Sequence, residues 1–284
     1  MKVILHSDDL GLSPGVTRGI LEALEAGVLH GTSVMATGEP LAPLAQRLAH
    51  LPQPPRLSVH LNLSEGTPVA SLREVPWLVG PDGRLRLSFG RCLAGLVFCS
   101  PARRRARCAQ IEREWLAQTR AVAHALAPLP IAAIDGHTHI HMLPFVVPIA
   151  AAVAAREGIG AIRVPREPLA HAVSAADWFR PAWWINQLKR LVLLGLARGR
   201  EADARRLGLE TPDAVTGVLY TGMMSRRAIL AAVRAARRRG CRSLEVVLHV
   251  GPSAGPFPPA GRSTTAGRLR GLERSGTLQR ASVA

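Results

Sequence analysis

The sequence predicts an α/β fold, an irregular (β/α) barrel of about seven parallel strands with helices outside. Three observations carry this expectation. Short apolar runs alternate with stretches of helical periodicity along most of the 284 residues. Glycine, proline and Asx residues mark the joins between them. Asp, Asn or His stands at the carboxyl end of one strand after another, the edge where barrels and open α/β sheets place their ligands. An open doubly wound sheet is the competing arrangement.

In chain order, residues 2–6 form a buried strand and 14–26 a helix, entered through Ser13 with proline in its first turn and Gly27 past its end. Residues 32–37 are a second strand, 41–50 a second helix and 57–63 (LSVHLNL) a third strand of alternating type. The rhythm then breaks. Residues 64–100 hold Pro68, Pro76, Pro81 and several glycines, which predicts a long functional or mobile excursion with a short hairpin around Pro81-Asp82-Gly83. Helical spacing returns over 101–126 and is stopped by Pro128 and Pro130, and the strand 131–134 leads into DGHTHIHMLP. A helix over 144–157, a strand over 161–164, a mostly helical stretch over 175–206, a strand over 215–219, a helix over 225–239 and a strand over 243–249 complete one domain spanning 1–251. Residues 252–284, rich in Gly, Ser, Pro and Arg, read as a disordered tail.

A hydrophobic content of 48% supports a large core. No uncharged apolar run reaches about 18 residues and the start is strand-like, so a cytoplasmic protein is expected. Cys92, Cys99, Cys108 and Cys241 lack C-x-x-C spacing and are read as free thiols. The net charge of +16 is nearly all arginine, since only Lys2 and Lys189 are lysines. Arginines cluster at 102–107, 234–239 and 262–280 without interleaved aromatics, which fits solvated helix faces and no specific nucleic acid. Peripheral attraction to an acidic membrane stays open, as does a homodimer.

Asp8 and Asp9 follow the first strand, His60 and Asn62 lie near the end of LSVHLNL, Asp135 and His137 follow IAAI, and His249 closes LEVVLH. Imidazoles and carboxylates at one rim suit one divalent metal with open positions. Zinc, nickel or cobalt matches two imidazoles and a carboxylate, and magnesium is tolerated where waters complete its shell. Such a metal polarises a carbonyl and activates water. Successive side chains of an extended segment point opposite ways, so one of the two acids can bind the metal while its neighbour reaches the water. Extended HTHIH would project His137, His139 and His141 to one side, where the three could form a site by themselves or one could ligate while the others bind substrate or pack; one ligand is expected. His6, His30, His50, His124 and His171 are left as structural or surface residues, Trp178, Trp183 and Trp184 as core or lid, and Glu245 as outward-facing.

HSDDLGLSPGVTRGILEALEAGVL, SVHLNLSEGTPV, IDGHTHIHMLP, IRVPREP and EVVLHVG resemble, in this order, the motifs of the YdjC-like carbohydrate deacetylases, whose best-known members are chitooligosaccharide deacetylases. The resemblance runs over residues 1–251. It implies a barrel-like fold and divalent-metal-dependent removal of acetyl from an N-acetylated sugar or glycolipid, with magnesium or zinc as the cofactor. Position by position, it implies Asp9, His60 and His137 as metal ligands, Asp8 as the general base and His249 as the general acid. Arg163 and Arg166 are implied as site-wall residues; Asn62, His139 and His141 are expected to face substrate from their own place at the strand ends. IRVPREP and VLYTGMM are further similar to a hopanoid biosynthesis-associated subgroup, which implies an N-acetylglucosaminyl lipid. The chain departs from the pattern at His249-Val250-Gly251, where the family reads His-Pro-Gly, and in its arginine-rich tail, where a C-terminal helix is expected. Two rival readings are a metal-dependent phosphoesterase or amidohydrolase using the His-x-His spacing, and a non-catalytic basic protein that binds RNA or membrane.

Overall fold

Six parallel strands form the centre of the computed structural model, which describes residues 1–169, 179 and 181–250. They are β1 (Lys2–Leu10), β2 (Gly31–Val34), β3 (Arg56–Leu61), β4 (Ile131–Gly136), β5 (Ala214–Thr216) and β6 (Ser243–Leu248), in the spatial order β4-β3-β2-β1-β6-β5. Every residue of β2 is buried, as is all of β1 after Lys2, because helices cover a parallel sheet on the side away from its interior.

The seventh expected strand, 161–164, joins this sheet through isolated bridges. Ile134 N–H donates to the Ala161 carbonyl at 2.9 Å and Arg163 N–H to that of Ile134 at 2.9 Å, so the segment rides on β4. Further along, Val215 N–H of β5 donates to the Arg166 carbonyl at 3.2 Å. The segment therefore curls the sheet toward closure between its two edges. Pro165 and Pro168 lack the N–H groups that a continuous ladder needs, which is why six strands rather than seven are complete.

Helices α1 (Pro14–Glu25), α2 (Leu41–Ala49), α3 (Phe89–Val97), α4 (Pro101–Leu126), α5 (Val147–Arg156), α6 (Pro181–Ala197), α7 (Arg200–Arg206) and α8 (Arg226–Arg238) fill the connections, with α3 and α4 both between β3 and β4 and α5, α6 and α7 between β4 and β5. Ser100 caps α4 by accepting from Arg103 N–H at 3.3 Å, and Ser225 caps α8 by accepting from Ala228 N–H at 3.2 Å. The long helical stretch expected over 175–206 breaks at Gly199, whose φ of 77° starts α7. Residues 175–178 and 180 of that expectation, and the tail 252–284, lie outside the described residues.

The excursion after β3 is tied down along its length. The buried Glu114 carboxylate on α4 accepts from Val69 and Ala70 N–H at 3.0 and 2.9 Å, and Gln110 accepts from Trp77 N–H at 2.8 Å. The hairpin around Pro81-Asp82-Gly83 forms, with Gly80 N–H donating to the Arg84 carbonyl at 2.8 Å. Helix α3 inside this stretch had no signal in the proline and glycine pattern. The four cysteines are unpaired thiols.

Candidate metal and catalytic site

At the carboxyl end of β1 the ladder to β2 slips between Ser7 and Leu10, and Asp9 takes a φ of 74°. Asp tolerates this left-handed conformation better than most residues. The slip separates the adjacent acids. Asp8 faces into the sheet's concave interior, and Asp9 turns to the rim.

At the rim, Asp9 Oδ1 lies 3.2 Å from His60 Nε2 and 2.8 Å from His137 Nδ1. The candidate ligand atoms of all three lie within 4.8 Å of one another. Atoms sharing one ion at bonds of about 2.0–2.2 Å stand roughly 3–4 Å apart, so the set needs only small adjustment to hold a cation. Each imidazole uses its second nitrogen on a carboxylate: His60 Nδ1 is 2.6 Å from Asp135 Oδ1, and His137 Nε2 is 2.7 Å from Glu65 Oε1. That is the outer support expected of metal-binding histidines. Burial disfavours a charged His60, yet Asp135, Asp8 and Asp9 outweigh it and push the imidazole up to about 10. His137 is likewise raised against burial by Asp9 and Glu65. Burial opposes ionisation of Asp9, but hydrogen bonds from His137 and His60 hold its carboxyl well below the carboxylate range.

Beneath the rim lies a second tier around Arg163, which is 2% exposed. Its Nη1 donates to both oxygens of Asp8 at 2.9 Å, its Nε donates to Glu245 Oε1 at 2.7 Å, and its Nη2 stands 2.8 Å from Asp135 Oδ2. Burial raises the Asp8 carboxyl, but Arg163, His60 and His6 outweigh it and keep Asp8 below the usual carboxylate range. The guanidinium is correspondingly stabilised as a cation, against its own burial, by Asp135, Asp8 and Glu245. Ser33 Oγ is 2.5 Å from Asp135 and 2.7 Å from His6 Nε2. Glu245 thus points inward, which corrects the outward placement expected for it. His6 is no isolated structural histidine either; it sits within 4.0 Å of Asp8, Asp135 and Glu245.

The HTHIH segment is a 3₁₀ turn over His137–Met142 rather than extended chain, with positive φ at Thr138 (52°) and His139 (57°). Its three imidazoles therefore do not share one side. His137 joins the rim. Burial together with His141 drives His139 down to about 3, with Asp8 near enough to oppose the shift. His141 is fully buried, packed on Gly136, and its Nε2–H donates to the Arg163 carbonyl at 2.8 Å, so it braces the site from behind. Asn62 is also a brace: its amide donates to Thr37 Oγ1 at 2.7 Å and to the Glu65 carbonyl at 2.6 Å, while its oxygen accepts from Ser64 N–H at 2.9 Å. Arg166 is exposed and pairs with Glu201 on α7, away from the two tiers. His249 is exposed at the end of β6, one residue past the Ser7–Leu248 pairing that aligns β6 with β1. Trp183 is buried against Tyr220, Trp184 is exposed, and Trp178 lies outside the described residues.

Sequence reasoning missed Glu65, Ser33, His6 and Glu245 as site groups and gave Asp135 no role. Asp135 carried the strongest available signal, a carboxylate two residues before His137 at the same strand end.

Compared with known proteins, residues 2–278 match the family model described as YdjC-like protein. The chain is 35% identical over 188 residues to the carbohydrate deacetylase of Geobacillus stearothermophilus, covering 66% of this chain and 69% of that one. It is 30% identical over 236 residues to the human carbohydrate deacetylase, covering 78% of this chain and 64% of the human protein. It is 28% identical over 257 residues to the chitooligosaccharide deacetylase of Serratia marcescens, covering 87% and 80%. A crystal structure from Enterococcus faecalis V583, of a protein provisionally ascribed to cellobiose-phosphate cleavage, superposes with a TM-score of 0.66 over 98% of this chain and 95% of that one. At 18% identity, that likeness concerns the fold alone.

Proposed function

The chain belongs to the YdjC-like family, and from that membership and its own site we propose that it is a metal-dependent hydrolase that removes acetyl from an N-acetylated amino sugar. The observation that carries the reading is the convergence of Asp9, His60 and His137, from three separate strand ends, onto one point. The donors fit a divalent cation: one carboxylate oxygen and two imidazole nitrogens, each imidazole backed by a second carboxylate. Two imidazoles favour zinc, nickel or cobalt over magnesium. Bound there, the cation would polarise the acetamide carbonyl and lower the pKa of water enough for attack near neutral pH.

The remaining steps belong to the protein. Asp8, kept ionised by Arg163, accepts the proton of the attacking water at its carboxylate. His249, at the end of β6, donates a proton to the sugar nitrogen as the C–N bond breaks, giving acetate and the free amine. His139, held neutral beside Asp8, offers the sugar an uncharged hydrogen-bonding group. Asn62 and His141 act at one remove, fixing the Glu65 loop and the Arg163 backbone. Substrates in keeping with the relatives' names are N-acetylglucosamine oligomers, and a glycolipid carrying that sugar, including a hopanoid one, is the narrower reading.

The test is acetate release from N-acetylglucosamine oligomers by the metal-stripped and zinc-reloaded protein and by Asp9→Ala. Turnover that survives both stripping and Asp9→Ala would end this proposal.

A further inference from the structure

The outer face of α6 is apolar where a surface helix should be polar. Ile185, Leu188, Leu191 and Val192 are 54, 65, 58 and 44% exposed, and at helical spacing they form one stripe. The opposite face, with Trp183, Asn186, Arg190 and Leu193, is the buried one. Through that buried face α6 packs over the rim that carries the site, so the stripe looks outward from it. Asn186 donates to the Leu219 and Thr221 carbonyls just past β5, and Leu193 packs with Met142 of the 3₁₀ turn.

The same rim presents more apolar surface and a surplus of positive charge. Phe98 is 85% and Phe145 42% exposed, both in connections at the carboxyl edge of the sheet, and the Arg104 guanidinium lies 4.4 Å from the Phe145 ring centre. Helices α4 and α8 start at that edge with Arg103, Arg105, Arg226 and Arg227 exposed, and Lys189 flanks the α6 stripe. No acidic residue occupies the first turn of α3, α4, α6 or α8, and the two in the first turn of α7 are matched by arginines, Glu201 by Arg166 and Asp203 by Arg200 and Arg206.

We propose that this rim docks onto an anionic lipid bilayer, with the α6 stripe and the exposed phenylalanines entering the headgroup boundary and the arginines meeting lipid phosphates. Apolar side chains set beside cations are the chemistry that holds a helix flat on such a surface. A helix of 17 residues spans about 25 Å, and none among the described residues is long and apolar enough to cross a membrane, so α6 lies on the bilayer. Charge separates this occupant from two others. A second copy would press one arginine-rich rim against another. The chain's own segment 251–284 carries Arg262, Arg268, Arg270, Arg274 and Arg280 against a single Glu273, again like charge on like. Docking does not require the deacetylase reading; combined with it, the bilayer would bring a lipid-linked sugar to the mouth of the site.

The experiment is co-sedimentation of the full chain with phosphatidylcholine vesicles, with and without phosphatidylglycerol, at rising salt. Wild type should bind the anionic vesicles and detach as salt rises, and both phosphatidylcholine alone and Leu188→Glu/Leu191→Glu should lower affinity by about tenfold or more. Circular dichroism would check that the double variant is folded, and the salt response of wild type tests the idea without any variant. Wild type that ignores anionic vesicles, or binds both lipids equally, overturns the proposal. So does a folded double variant that binds as wild type does, or a wild type that pairs through the α6 face in sedimentation equilibrium without binding lipid. Acetate release from soluble oligomers, measured in parallel, reports on the deacetylase reading alone and should not change in the double variant.

Discussion

Arg163 is the residue whose loss the structure makes most costly, and the cost has a pH signature. Its guanidinium meets Asp8, Asp135 and Glu245, all buried. Arg163→Met would leave three buried carboxylates facing one another, with His60 as the remaining cation at hand. Breaking a buried ion pair costs about 3–5 kcal/mol. The chain can limit that cost by protonating one stranded carboxylate. From an ordinary pKa near 3.9, this takes about 4 kcal/mol at pH 7 and about 1–2 kcal/mol at pH 5. The two estimates agree, so the variant should be about 4 kcal/mol less stable than wild type at pH 7, with the deficit shrinking toward pH 5. Urea unfolding of both proteins across that range measures it. A deficit below about 1 kcal/mol at pH 7 would show that Arg163 is not holding these charges in place. A large deficit that ignored pH would assign the loss to packing alone.

Three further expectations follow from neighbouring groups. Asp135→Asn removes the carboxylate that faces His60 Nδ1 and should weaken zinc binding about 10- to 100-fold by calorimetry; unchanged affinity would remove Asp135 from the support of the site. Burial drives His141 down to about 4, so its imidazole is neutral in the fold while the unfolded chain protonates near 6.5. The unfolded state therefore binds more protons below pH 6.5, and stability present above that value should fall as pH drops toward 4, by at most about 3 kcal/mol from this group. His141→Gln should flatten that slope in unfolding experiments. A Cβ on Gly136 would stand 2.5 Å from His141 Nδ1, so Gly136→Ala should cost about 1–3 kcal/mol and lower the melting temperature.

Strand ends were the legible part of the site. Asp9, His60 and His137 follow three separate apolar runs, and the parallel sheet brings those ends to one edge. Glu245 was not legible for a physical reason. After Ser243, β6 is buried throughout, as strands covered on both faces are, so no alternation marks which side chains look inward. The inward direction is set by the pairing of Ile4 with Glu245, a contact between residues 241 apart in the chain. HTHIH misled for another reason. Two successive non-glycine residues in the left-handed region are rare, and nothing in Thr138-His139 announces them. The interrupted strand at 161–164 could have been anticipated from Pro165 and Pro168, which remove donors where a ladder would continue.

The paired acids pose a geometric problem that the bulge solves. With plain alternation along β1, His6 and Asp8 share the inner face and Asp9 would be sent outward beneath the helices, where an ionised carboxylate has no partner. The slip between Ser7 and Leu10, with φ of 74° at Asp9, turns that side chain back to the rim while Asp8 stays on Arg163. Backbone tolerance and charge are therefore separable at this position. Asn accepts the left-handed conformation about as well as Asp, whereas Ala is strained there by about 1–2 kcal/mol. Asp9→Asn and Asp9→Ala should both lose cation binding, since neither supplies the carboxylate, yet Ala should unfold about 1 kcal/mol more easily than Asn. Comparing the two variants cancels the shared loss of charge. Equal stability would mean that residue 9 is not held in the left-handed region, and the bulge would no longer explain how two neighbouring acids serve two tiers of one site.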